Sequence, residues 1–142
     1  MSDVIATQWP YDGPHGRDSV TSAAGAMADL VRYLNNATGP GNAAATLEWA
    51  STIDLLLHGV DRTIGGLDQL LGQLSVALTA QADSASLYDD RRDRPGHDTA
   101  LAAAAQLRRA RRTLQALALD VVHVVDATHH LGNRVPEDGE QP

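Results

Sequence analysis

Asp54, His58 and Asp61 follow one another at spacings of four and three, and Asp120, His123, Asp126 and His130 form a second such group later in the chain. On a helix these spacings gather Asp54, His58 and Asp61 along one side, and likewise His123, Asp126 and His130. Carboxylates and imidazoles that face each other across helices are the material of bundle metal sites. Two features oppose that chemistry here. The apolar pattern around both groups puts them on the flanks of their helices. Di-iron bundles also favour Glu with Glu-x-x-His, whereas the second helix offers only Glu48. Solvated Asp and His pairs are therefore preferred over a metal centre, and no cofactor is expected.

A second group is Arg108, Arg109, Arg111 and Arg112, four guanidiniums within five positions. Such a patch suits phosphate, RNA or an acidic protein surface. No aromatic residues interleave it for base stacking, and no helix-turn-helix is recognisable. A solvated face that pairs with loop aspartates, Asp68 or Asp83 is the preferred reading. An accessory role on nucleic acid is the alternative. Enzymatic chemistry finds no support: Ser and Thr occur without a nucleophile elbow, and no glycine loop resembles a phosphate cradle.

Composition narrows the class further. The 142 residues suffice for one domain. There is no Phe and few aromatics, so Leu, Val and Ala do the packing, which suits close helix contacts. Every basic side chain is Arg, a mark of GC-rich codons. A formal charge of -7 opposes general nucleic-acid binding. Without Cys there are no disulfides and no thiolate chemistry. Met1-Ser2-Asp3-Val4 has neither the basic nor the apolar region of a signal peptide, and no apolar run is long enough to span a bilayer. A cytoplasmic location without membrane contact is expected.

The elements that would position these groups are helices. Ile53, Leu57, Val60, Ile64, Leu67, Leu71, Leu74 and Leu78 alternate at four and three, the signature of a seam between long helices. Leu107, Ala110, Leu114, Leu117, Val121, Val124, Thr128 and Leu131 repeat it. Residues 1–17 are predicted to form an irregular arm whose Trp9 and Tyr11 dock on the bundle, with a disordered tail as the alternative. Helices are predicted over about 19–38, 43–83 and 98–131, the last two long, within one bundle domain over 18–132. Asp18 or Ser19, Asn42, and Asp98 or Thr99 are the expected caps. The second helix is predicted to run unbroken through Gly65-Gly66, its glycines admitting another backbone closely. A charged loop, Asp89 to Gly96, turns the chain back, and a disordered acidic tail is expected over 133–142.

The predicted fold is thus all-α: a three-helix up-down bundle built on a long antiparallel hairpin, with residue numbers at one height totalling about 181. The shorter first helix covers one end alone. The other half of the hairpin, 66–83 with 99–113, carries Leu67, Leu70, Leu71, Leu74, Leu78, Leu101 and Leu107, and lacks an internal third helix. Two helices bury such a stripe poorly. That half is expected to complete the bundle with a second copy, a dimer being favoured, or with a partner helix.

Leu30-Val31-Arg32-Tyr33-Leu34-Asn35-Asn36-Ala37-Thr38, Gly66-Leu67-Asp68-Gln69-Leu70-Leu71-Gly72-Gln73-Leu74, Asp89-Asp90-Arg91 and Thr128-His129-His130-Leu131-Gly132 together resemble small all-helical hypothetical proteins of actinobacteria. The resemblance covers most of the chain. It implies a taxon and no activity. Secreted WXG-type hairpins share the size and helicity, but the chain has no Trp-x-Gly turn. The function expected is that of a non-enzymatic helical scaffold or accessory protein.

Overall fold

A computed structural model describes residues 3–134, which contain α-helices and no strand. The chain divides into two compact units, Met1–Glu48 and Trp49–Pro142.

In the first unit, α1 (Asp3–Gln8) replaces part of the irregular arm predicted from the sequence. Residues 3–8 contain neither Pro nor Gly, so the helix lasts until Trp9, the residue before Pro10. Trp9 is half-buried and Tyr11 is exposed. The second helix, α2 (Arg17–Ala37), has its cap two or three residues before the predicted ones. Gly16 takes the cap position, its N–H donating to Ser19 Oγ at 2.9 Å, so Ser19 acts from inside the first turn. Gly39-Pro40-Gly41 ends α2 as expected. The turn beyond it, α3 (Ala43–Thr46), satisfies carbonyls that a helix end leaves unpaired. Asn42 Nδ2 donates to the Asn36 carbonyl at 2.8 Å, and Thr46 Oγ1 to the Ala37 carbonyl at 2.7 Å. With its side chain used there, Asn42 caps no long helix. The chain breaks at Leu47 and restarts after Trp49.

The second unit is a hairpin of two helices of equal length, α4 (Ala50–Ala82) and α5 (Gly96–Thr128), packed antiparallel. The cross-helix pairs Asp54 with Thr128, Asp68 with Arg111, Ser75 with Ala104 and Ala82 with His97 follow the predicted register. α4 runs unbroken through Gly65-Gly66. No atom lies within 4 Å of where a Cβ would stand at Gly59, Gly65 or Gly66, so within the chain these glycines admit no close neighbour, contrary to expectation.

The phase of the seam differs from the one read off the sequence. Asp54, Leu57, Asp61, Ile64, Asp68, Leu71, Ser75, Leu78 and Ala82 are all buried or half-buried, as are Ala100, Ala104, Leu107, Arg111, Leu114, Ala118, Val121, Val125 and Thr128 on α5. Only every second member of each predicted stripe belongs to this seam: Leu57, Ile64, Leu71 and Leu78, and Leu107, Leu114, Val121 and Thr128. The alternate seam positions of α4 hold Asp, Asp, Asp, Ser and Ala. At the closest part the helices meet through small side chains. Ala104 is fully buried, and Ser75 Oγ donates to its carbonyl at 3.2 Å.

The loop joining the helices is held by its own charged residues. The Asp89 carboxylate, 3% exposed, accepts bonds from the Arg91 backbone N–H at 3.0 Å, from Arg91 Nη2 at 3.0 Å and from the Thr99 hydroxyl. These bonds, Arg91's foremost, hold its carboxyl well below the usual carboxylate range. Thr99 is thereby spent on the loop, and α5 starts two residues earlier than predicted, after Pro95. At Gly96 the backbone of Tyr88 and Leu87 lies 2.8–2.9 Å from where a Cβ would be. His97 Nδ1 meets the Ala82 carbonyl, at the end of α4, at 3.0 Å.

Candidate functional site

A seam with this phase gives the hairpin two unlike edges. In an antiparallel pair, the residues that follow Leu57, Ile64 and Leu71 on α4 face those that follow Leu107, Leu114, Val121 and Thr128 on α5. This edge is polar. It carries His58, Gly65 and Gly72 opposite Arg108, Gln115 and His129, with Val122 among them.

At the open end of the polar edge, Asp54, His58 and His129 converge. Their potential ligand atoms all lie within 4.8 Å of one another. Asp54 projects from the seam just past the first turn of α4, and His129 is the C-cap of α5. Thr128 Oγ1 donates to Asp54 Oδ1 at 2.9 Å. The other carboxylate oxygen, Oδ2, stands 3.6 Å from Nδ1 of both His58 and His129. His58 Nδ1 also lies 2.9 Å from the Asp54 carbonyl oxygen. The His58 and His129 rings meet edge to face at 6.2 Å, and His130 stands 5.7 Å from His129. Asn133 Oδ1 accepts the Ala50 N–H at 2.7 Å, fastening the segment after α5 to the start of α4.

Of the residues singled out in the sequence, Asp54 and His58 thus come together, joined by His129. Asp61 lies half-buried in the seam, while Asp120, His123, Asp126 and His130 are exposed. The signal for His129 was present in the register: the residue after Thr128 faces His58 once the seam passes through Asp54. The misplaced phase had put Asp54 and Asp61 on a flank.

Further along the hairpin, within the seam, Arg111 forms a two-point bond with Asp68, Nε to Oδ1 at 3.1 Å and Nη2 to Oδ2 at 2.9 Å. Gln115 Nε2 adds a third bond to Oδ1 at 3.0 Å. The Arg111 guanidinium beside Asp68 lowers the carboxyl below its ordinary value, and the carboxylate raises the guanidinium in turn. Arg108 Nη1 donates to Ser75 Oγ at 3.3 Å, and Arg112 Nη1 to the Arg108 carbonyl at 3.4 Å. The positive patch is therefore divided, with Arg109 exposed and Arg111 committed to the hairpin.

The opposite edge is apolar. It takes the displaced halves of both stripes: Ile53, Val60, Leu67 and Leu74 on α4, with Ala110, Leu117 and Val124 on α5 and Leu131 just beyond. Exposure there includes 39% at Ile53, 45% at Leu74 and 48% at Leu117. Leu70 and Leu101 are exposed as well, whereas Leu71, Leu78 and Leu107 are half-buried by the seam itself.

The class defined by these features is an all-α protein built on an antiparallel helical hairpin. Compared with protein-family models, curated proteins and solved structures, the chain has no match. Among the described residues, no helix is long and apolar enough to cross a membrane.

Proposed function

We propose that this protein is a non-enzymatic helical interaction module, a scaffold or accessory protein, that associates with a second copy of itself along the apolar edge of the hairpin. One observation carries the reading. Ile53, Val60 and Leu74 on one helix and Leu117 and Val124 on the other stand at multiples of seven residues and stay exposed, with half-buried Leu67 between Val60 and Leu74, although their stripe partners are consumed by the seam. Seven-residue apolar spacing on both helices of a hairpin suits another helical pair, and two hairpins joined this way make a four-helix arrangement. The finer architecture of the proposal is a helical bundle that oligomerisation of the hairpin completes. A cytoplasmic setting in an actinobacterium belongs to the same reading.

The edge extends the surface first inferred from residues 66–83 and 99–113. Leu67 and Leu74 remain within it, and Val60, Leu117 and Val124 join it, whereas Leu101, seven residues before Arg108, falls on the polar edge. Occupation of Arg111 by Asp68 favours this reading over nucleic-acid binding through the Arg108 to Arg112 patch. Light scattering at micromolar concentration is expected to give the mass of a dimer, and Leu74→Glu together with Val124→Glu to give that of one chain. A wild-type monomer across that range overturns self-association.

A further inference from the structure

We propose that Asp54, His58 and His129 form a binding site for a divalent transition-metal ion of the zinc type, which clips the end of α5 to the N-terminal part of α4. The donor set is two imidazoles and one carboxylate, the combination that zinc accepts while keeping a position for water.

The geometry is that of ligands around a shared centre. Two atoms each bound at about 2.0–2.1 Å to a tetrahedral zinc lie about 3.3–3.4 Å apart. Asp54 Oδ2 stands 3.6 Å from His129 Nδ1, and the potential ligand atoms of all three residues lie within 4.8 Å of one another. The separation from His129 is too long for a good hydrogen bond, and among the described residues Oδ2 has no hydrogen-bond donor. Small rotations of three side chains bring the set onto one ion.

The surroundings orient the set as metal sites require. Thr128 donates to Oδ1 and leaves Oδ2 turned to the imidazoles. His58 Nδ1–H donated to the Asp54 carbonyl leaves the lone pair on Nε2, the nitrogen that commonly binds metal. The carboxylate is 17% exposed and the His129 ring 68%, so the site has a shielded floor and an open mouth for water. Residues on both helices contribute, hence an ion would tie together the two chain segments already linked by Asn133 and Ala50.

Zinc chloride titrated calorimetrically into the full chain at neutral pH is expected to show one ion bound per chain and to raise the melting temperature. Cobalt(II) is expected to give the visible absorption of a low-coordinate site. His129→Ala, at an exposed position beyond the last turn of α5, should weaken zinc on the order of 10–100-fold or more and cancel the thermal shift, with the metal-free melt unchanged. Asp54→Asn should do the same, and His123→Ala, outside the cluster, should change nothing. Absence of zinc binding, or binding equally strong in His129→Ala and wild type, overturns the site. His129→Ala decides the matter even where Asp54→Asn loses its fold.

Discussion

Arg111 lies across the hairpin onto Asp68, its guanidinium occupying the space that Gly72 leaves without a side chain. A Cβ at Gly72 would sit 3.0 Å from both Cζ and Nη1 of Arg111. One turn of α4 separates Asp68 from Gly72, so the helix supplies both the carboxylate and the clearance needed to reach it. Arg111→Lys keeps the charge but replaces a planar two-point donor with a single ammonium. The expected result is a lower thermal midpoint at neutral pH. A midpoint equal to wild type would mean that solvent satisfies both groups as well as the pair does.

The glycines of α4 should separate in mutational scans. Gly65 faces open space, so Gly65→Ala is expected to stabilise by about 1 kcal/mol through helix propensity alone. That corresponds to a rise of roughly 4–8 °C for a unit of this size. Gly72→Ala carries the same propensity gain but displaces Arg111, and its midpoint should fall below that of Gly65→Ala. Paired thermal melts by circular dichroism suffice to check the order.

Gly96 is the position where backbone meets backbone. Tyr88 Cα at 2.8 Å and Leu87 C and O at 2.9 Å leave no room for a methyl group. Gly96→Ala is expected to cost about 1–3 kcal/mol, as overpacking does elsewhere, because the loop must shift and the Asp89 to Thr99 bond with it. Denaturant unfolding should show a lower midpoint with an unchanged slope.

Acid should loosen the hairpin at two places together. Asp68 and Asp89 both have folded-state carboxyls held below their ordinary value, the first by Arg111 and the second by Arg91 and Thr99. A lowered folded value means that the unfolded chain binds protons first as pH falls. The stabilisation is therefore complete above the unfolded carboxylate range near pH 4, declines below it, and is lost once pH passes the folded values. Melts from pH 7 to pH 2 should show a midpoint that is flat at first and then falling. Asp89→Asn should start lower and fall less.

The period of the helices was legible in the sequence; their phase was not. Alternating four-three spacing fixed two long helices, and the loop between them fixed an antiparallel register. Yet Leu-rich α4 offers two overlapping series, Ile53-Leu57-Val60-Ile64 and Asp54-Leu57-Asp61-Ile64, that share half their members. Hydrophobicity selects the first. The structure adopts the second because Asp68 finds Arg111, Asp54 finds Thr128, and Ser75 lets the helices meet at Ala104. Those are cross-helix gains, invisible to a pattern taken from one helix at a time. The same ambiguity of phase hid His129 from the Asp and His constellation. The helix starts were misjudged for a related reason: the polar residues chosen as caps, Asn42 and Thr99, satisfy carbonyl and carboxylate groups elsewhere.

The phase itself can be tested with two residues one turn apart. Ile64 is buried in the seam, whereas Val60, from the same predicted stripe, is 44% exposed. Ile64→Ala should therefore cost about 2–5 kcal/mol, the range for truncating a large aliphatic side chain in a core. Val60→Ala should stay within about 0.5 kcal/mol in dilute solution, as expected away from a packed site. Val60→Ala also reports on the apolar edge. Where a second copy covers Val60, its effect should grow with protein concentration, because dissociation then becomes part of unfolding. Chemical denaturation of both variants at two concentrations about tenfold apart distinguishes these outcomes. Equal losses for Ile64→Ala and Val60→Ala, independent of concentration, would return the seam to the phase that hydrophobicity alone selects.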